Sequence, residues 1–242
     1  MKDCLAIIPA CHNLAAGSDY LADLGGRPVL YHTLATARDA ALDRIVVLSA
    51  EGEVLNMCNR WEAESIRLPV QLVGSEVPVE WVAAYGLNSL AAKGYVPQQV
   101  MLLSPELPLR RPGRLEAAQA AFERESADSL FSCSCEMPHF WRQSPGGLIP
   151  FYDPRERTIR SGGVSEPEWH RENGSIYLCR RGGLLRHGNR LFGKITMLEM
   201  DPEESLLAVG SAGLAVCRVL LDHVNPVAGQ EWGDQTGRCA TT

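Results

Sequence analysis

The chain predicts an α/β protein in which a mostly parallel sheet is covered by helices, and three observations predict it. Short apolar runs of strand length alternate with longer segments whose apolar residues recur every three or four positions. The links between these segments are short. Hydrophobic residues fill 45% of the 242 positions, enough for one well-buried core.

The first run, Cys4-Leu-Ala-Ile-Ile-Pro-Ala10, is continuously apolar, as a strand buried on both faces requires. Residues 28–41 follow as a helix with Pro28 at a first-turn position, where a missing N–H costs nothing. Strands are then expected over 44–49, 70–73, 99–103 and 129–135, separated by amphipathic helices over 54–63, 79–92 and 112–125. A sheet of this kind collects ligands at the carboxyl ends of its strands. The loops after Ala10, Ser49, Val73 and Leu103 are therefore expected to converge on one crevice.

The alternation stops between Glu136 and Arg171, a stretch rich in Pro and Gly that also carries Phe140, Trp141, Phe151, Tyr152 and Trp169. It holds four arginines, Arg142, Arg155, Arg157 and Arg160. Loops beyond about 15 residues in compact domains usually make functional contacts, and this one reads as an arm packed on a partner surface. Regular structure is expected again over 174–179 as an alternating strand, then over 180–187, 195–200 and an amphipathic stretch at 203–224. Residues 1–224 thus read as one domain with 136–171 as its protruding arm, and 225–242 as an irregular tail in which Trp232 is the one residue suited to docking.

A formal net charge of −6 argues against nucleic acid or an anionic membrane as the main partner. No apolar run approaches the roughly 20 residues of a membrane span, and Met1-Lys-Asp-Cys4 enters the first strand too quickly for a signal peptide, so the cytoplasm is expected. The eight cysteines include no Cys-x-x-Cys pair and no Cys/His spacing of a zinc site. Cys133 and Cys135 alternate at period two, on one face of a strand, as small buried hydrophobes do. None of the six histidines is spaced to pair with a nucleophile, and neither Ser104 nor Ser175 sits in a Gly-x-Ser-x-Gly elbow.

The loop at 11–26 occupies the position of a nucleotide-binding loop, between the first strand and the first helix, yet contains no Lys or Arg. Its only charged side chains are Asp19 and Asp23.

Several segments carry a resemblance. Ile7-Ile-Pro-Ala10, Leu24-Gly-Gly-Arg-Pro-Val-Leu-Tyr-His-Thr-Leu34, Asp43-Arg-Ile-Val-Val47, Leu102-Leu-Ser-Pro-Glu-Leu-Pro-Leu-Arg110, Ala127-Asp-Ser129 and Arg171-Glu-Asn-Gly-Ser-Ile-Tyr177 follow one another in a familiar order and spacing. Together they resemble the cytidylyltransferases that make CMP-activated sialic acids and related sugar acids, over residues 3–222. The resemblance implies a Rossmann-like three-layer nucleotidyltransferase sandwich and a homodimer whose arm, here 136–171, reaches over the partner's active site. It implies transfer of CMP from CTP to a sugar acid with release of pyrophosphate, a basic first loop on the triphosphate, and Mg²⁺ held by aspartates near the last helix. It also places Ala10, Ser104, Arg171 and Asn173 toward substrate.

The polar chemistry departs from that pattern. The family's first-loop arginine falls on Cys11, its Ser-Lys-Gly around Leu14-Ala-Ala16, and its later Lys-Asn pair on Asp19-Tyr20. Its metal aspartates fall on Leu207 and Val209, so no metal ligand is assigned, and the loop after the fourth strand gains Glu106. Opposite unit charges 4 Å apart attract by about 4 kcal/mol at the effective dielectric of a protein surface, so these losses together amount to several powers of ten in affinity or rate. The expectation is a cytidylyltransferase-family protein with impaired or absent catalysis. The alternatives are an active nucleotidyltransferase with a rebuilt site and an unusual acceptor, in which the arm's arginines compensate, and a structural dimer module that binds a protein partner. Asn173-Gly174 reads equally as a turn before a strand and as a binding position.

Overall fold

The computed structural model describes residues 3–11, 19–40, 42–74, 76–136, 140–151, 155 and 169–224. The Leu14-Ala-Ala16 stretch, Arg157, Arg160 and the tail at 225–242 with Trp232 lie outside them. The main-sheet strands in chain order are β1 (Cys4–Pro9), β4 (Arg44–Ser49), β5 (Glu64–Arg67), β6 (Gln99–Leu103), β7 (Ser129–Glu136), β10 (Trp169–Arg180) and β11 (Ile195–Glu199). Two-residue strands β2 (Asp23–Leu24) and β3 (Arg27–Pro28) pair after the first loop, and β8 (Trp141–Ser144) and β9 (Gly147–Pro150) form a hairpin in the arm. The helices are α1 (Val29–Asp39), α2 (Gly52–Arg60), α3 (Val79–Ala91), α4 (Arg114–Arg124), α5 (Arg181–His187) and α6 (Gly210–Val224).

The seven-stranded sheet runs β11-β7-β10-β6-β1-β4-β5. Every pairing in it is parallel except those of β10, which is antiparallel to both β6 and β7. Alternation at period two divides β1 between two cores, as the pleat demands. Cys4, Ala6 and Ile8 face α1, α2 and α4, whereas Leu5 and Ile7 face α3 and α5. The result is a three-layer α/β/α sandwich, the predicted class. A satellite core of Leu24, Val29, Leu109, Cys217 and Leu221 holds α6 against the β2–β3 turn.

Four expectations are corrected. The run 70–73 is not a strand: Val70–Leu72 is a 3₁₀ turn with Val70 75% exposed, and the edge strand is Glu64–Arg67, whose polar sequence buries little besides Ile66. The stretch 203–224 is two elements, a capped 3₁₀ turn at Pro202–Ser205 and then α6, because a turn of irregular chain through Leu206, Leu207, Ala208 and Val209 intervenes. Asn173-Gly174 is not a turn before the strand. It lies inside the 12-residue β10, at a bulge where the register against β7 shifts between Glu172 and Tyr177 and Gly174 takes φ +79°. Cys133 and Cys135 do share a face, but only Cys133 is buried, since β7 runs out past the core before Cys135.

Candidate functional site

The carboxyl ends of β1 and β6 open on a cleft of about 240 Å³. Its floor is Pro9 and the run Leu102, Leu103, Ser104 and Pro105, one wall is the first turn of α3 with Glu76, Val77, Pro78, Val79 and Glu80, and the other is Gly174, Tyr177 and Arg190. Helix α3 lies close because Gly86 faces Leu48: a methyl group there would come within 2.8 Å of the Leu48 side chain. The loop after Ser49 does not reach this cleft, since the Ser49 hydroxyl turns back to accept the Glu51 N–H at 3.1 Å.

The lining is largely apolar, and its charged side chains are Glu76, Glu80 and Arg190. Arg190 donates from Nη1 to Glu80 Oε1 at 2.7 Å and lies over the Tyr177 ring at 4.3 Å from its centroid. Tyr177 in turn donates its hydroxyl to Glu172 Oε2 at 2.9 Å. Burial works against the Arg190 charge, but Tyr177, Glu80 and Glu172 outweigh it and hold its pKa above the ordinary value. Burial, with Glu172 assisting, pushes the Tyr177 hydroxyl up. Among the described residues, the cleft lining therefore carries one cation, already neutralised, and a surplus carboxylate.

Beneath the cleft lies a fixed polar network. Arg110 is fully buried and donates to the Thr33 hydroxyl at 2.9 Å and to the carbonyls of Ser104 at 2.6 Å and Ser175 at 2.9 Å. Desolvation lowers its pKa to about 9, with Glu204 opposing. Glu204, also fully buried, accepts from Arg114 at 2.5 Å and from the Arg111 N–H at 2.8 Å. Asn173 is saturated too: Oδ1 accepts from the Ser132 hydroxyl at 2.6 Å and the Ser175 N–H at 3.0 Å, and Nδ2 donates to the Ser205 hydroxyl at 3.0 Å. These bonds set the backbone of the β6 loop and the β10 bulge, so they shape the cleft without entering it.

The positions singled out in the sequence separate accordingly. Ser104 lines the cleft; Ala10 and Asn173 flank lining residues Pro9 and Gly174; Arg171 is exposed on the arm side of the bulge. Cys11 is buried beside β1, and desolvation, with Glu51 assisting, pushes its thiol up to about 12. Asp19 is exposed and accepts the Leu21 N–H, while Asp23 pairs with Arg218 on α6 at 3.0 Å. Glu106 is 1% exposed and turns away from the lining, with its carbonyl accepting the Ala208 N–H. Leu207 is 38% exposed and Val209 half-buried. Hydrocarbon side chains at the two places where the resemblance puts metal aspartates do not fit Mg²⁺, which takes oxygen ligands. Among the described residues no group of three His, Cys, Asp or Glu is placed to hold a metal ion.

Glu80, Tyr177 and Arg190 escaped sequence reasoning because they come from three separate elements. The one available signal was the absence of any carboxylate between Arg180 and Lys194.

No family model matches the sequence, and no curated protein matches it. Solved structures do. A CMP:2-keto-3-deoxy-manno-octonic acid synthetase complexed with CTP aligns with a TM-score of 0.65 at 14% identity, over 92% of this chain and 99% of that one. A 4-diphosphocytidyl-2C-methyl-D-erythritol synthase from Anaerococcus prevotii aligns at 0.64 and 12% identity, over 91% and 99% of the two chains. A second 4-diphosphocytidyl-2C-methyl-D-erythritol synthase gives 0.62 at 15% identity, over 92% and 99%. The chain has the fold of these cytidylyltransferases. No helix among the described residues is long and apolar enough to cross a membrane.

Proposed function

We propose that this protein keeps the cytidylyltransferase fold for a role other than metal-dependent transfer of CMP from CTP to a sialic-acid-like sugar, and that its cleft holds the uncharged part of a ligand, a base or sugar ring. The observation that carries this reading is the Arg190–Glu80 pair at 2.7 Å. It takes up the cation of the described lining, and Glu76 then repels a triphosphate with no other cation among the described lining residues to offset it. The apolar walls and a volume of about 240 Å³ suit a ring compound of nucleoside size.

The arm at 136–171 joins this reading as the contact between two copies of the chain. Its hairpin exposes Phe140, Trp141, Leu148, Ile149 and Phe151, and Trp169 adds to the same arm at the start of β10. Arg142 lies 5.9 Å over the Phe151 ring, so it packs on its own hairpin. The protein acts in this reading as a non-catalytic partner or regulator in the cytoplasm. Pyrophosphate release from CTP, Mg²⁺ and a panel of sialic-acid-like sugars tests it. No turnover above the protein-free rate is expected; robust turnover removes the reading in favour of a rebuilt enzyme.

A further inference from the structure

Between Arg180 and Lys194 the chain carries Arg180, Arg181, Arg186, Arg190 and Lys194, with His187 among them and no Asp or Glu, in a protein of net charge −6. Arg190 belongs to the cleft. Arg180, Arg186 and His187 instead gather at the opposite end of the sheet, around a cavity of about 400 Å³. This cavity opens where Gln98 and Asp128 precede the amino ends of β6 and β7, Gly193 precedes β11, and the antiparallel β10 ends at Arg180.

The carboxylate on this lining is engaged. Asp128 Oδ2 accepts the Lys194 N–H at 3.0 Å, and Oδ1 lies 3.4 Å from Arg180 Nε. The Arg186 side chain is exposed and makes no hydrogen bond or ion pair with a described residue. Phe192 forms an aromatic wall, stacked on His187 with centroids 5.2 Å apart and rings 24° from parallel. Gly182 leaves the space beside it open, with no atom within 4 Å of where a Cβ would stand.

Guanidinium groups match phosphate oxygens in a bidentate fork, and an aromatic wall takes a planar group. A water molecule's share of volume is about 30 Å³, so this space exceeds what a lone phosphate fills. We propose that the cavity is a second binding site, separate from the cleft, for a small phosphate-bearing molecule with a planar ring. A nucleic-acid strand fits less well, because Glu125, paired with Lys194, and Asp128 interrupt the basic surface it would follow.

Calorimetric titration of the full chain with inorganic phosphate and with phenyl phosphate tests the site. Phenyl phosphate binds saturably with one site per chain and more tightly than inorganic phosphate. Arg186→Ala weakens it about tenfold, the loss of one charge-assisted contact, whereas Arg60→Ala on α2 leaves it unchanged. Thermal unfolding of each variant reports that it is folded. The proposal is overturned by the absence of saturable binding, by equal losses in Arg186→Ala and Arg60→Ala, or by a loss confined to Arg190→Ala, which would put the ligand in the cleft. Displacement of phenyl phosphate by an oligonucleotide at lower concentration than by inorganic phosphate overturns the small-molecule assignment.

Discussion

At the carboxyl ends of β1 and β6, the cleft sets Glu76 and Glu80 against a single arginine that Glu80 already holds. At the amino ends of β6, β7 and β11, the other cavity sets Arg180, Arg186 and His187 against one engaged aspartate. The fold dictates where both openings form, since strand ends and crossover loops leave them. Side chains decide which one takes charge. A fold whose solved neighbours include a complex with CTP thus lines its crevice largely with apolar groups and a paired arginine, and sets the unpaired Arg186 at the other cavity, so function has to be argued from the site and not from the architecture.

Removing the floor of the cleft should have the largest effect. Arg110→Ala deletes a buried cation with three hydrogen bonds and leaves the carbonyls of Ser175 and Ser104 only the longer bonds from the Ser104 and Leu107 N–H groups, at 3.3 and 3.5 Å. Urea unfolding should show a loss of about 3–5 kcal/mol. A loss below about 1 kcal/mol would mean the network does not shape the cleft.

A sharper cut is Glu80→Gln. It frees Arg190 while keeping the size of the side chain, and CTP should then bind roughly tenfold more tightly, with cytidine little changed. Unaltered CTP affinity in calorimetry would show that the ion pair is not what keeps the triphosphate out. The thiols offer a third contrast. In a Cys239→Ser background at pH 8, Cys135 should react first with a thiol reagent, because it is exposed. Cys11, buried and held at about 12, should react only on unfolding.

The smallest effect concerns Glu51, on the loop after Ser49 that stays out of the cleft. Burial, then Asp19 and Glu53, raise the Glu51 pKa in the folded state. The folded protein holds that proton more tightly than the unfolded chain, so stability falls as pH rises from the unfolded carboxylate range through the folded value. Glu51→Gln removes this dependence, and its thermal midpoint should exceed the parent's slightly at pH 7 but not at pH 4. A lower midpoint at pH 7 would contradict the sign.

Much of the architecture was legible in the sequence because its central strands are apolar without interruption. Cys4–Pro9 could be placed from composition alone. Glu64–Arg67 could not, since an edge strand that buries chiefly Ile66 has no hydrophobic alternation to read, whereas Val70–Leu72 looks like a strand and is an exposed turn. The site was legible only in part. Ser104 follows from strand-end logic, but Arg190, Tyr177 and Glu80 meet through tertiary packing across more than a hundred residues. Glu106 reads as an acid facing substrate until the structure places it in the interior.

The central claim, that this cleft takes an uncharged ring and rejects a triphosphate, meets its most direct test in a paired calorimetric titration of the unaltered protein with cytidine and with CTP and Mg²⁺. Cytidine binding at least as tightly as CTP is the predicted result. CTP binding roughly a hundredfold more tightly than cytidine, a gain of about 2.8 kcal/mol from the phosphates, would contradict it.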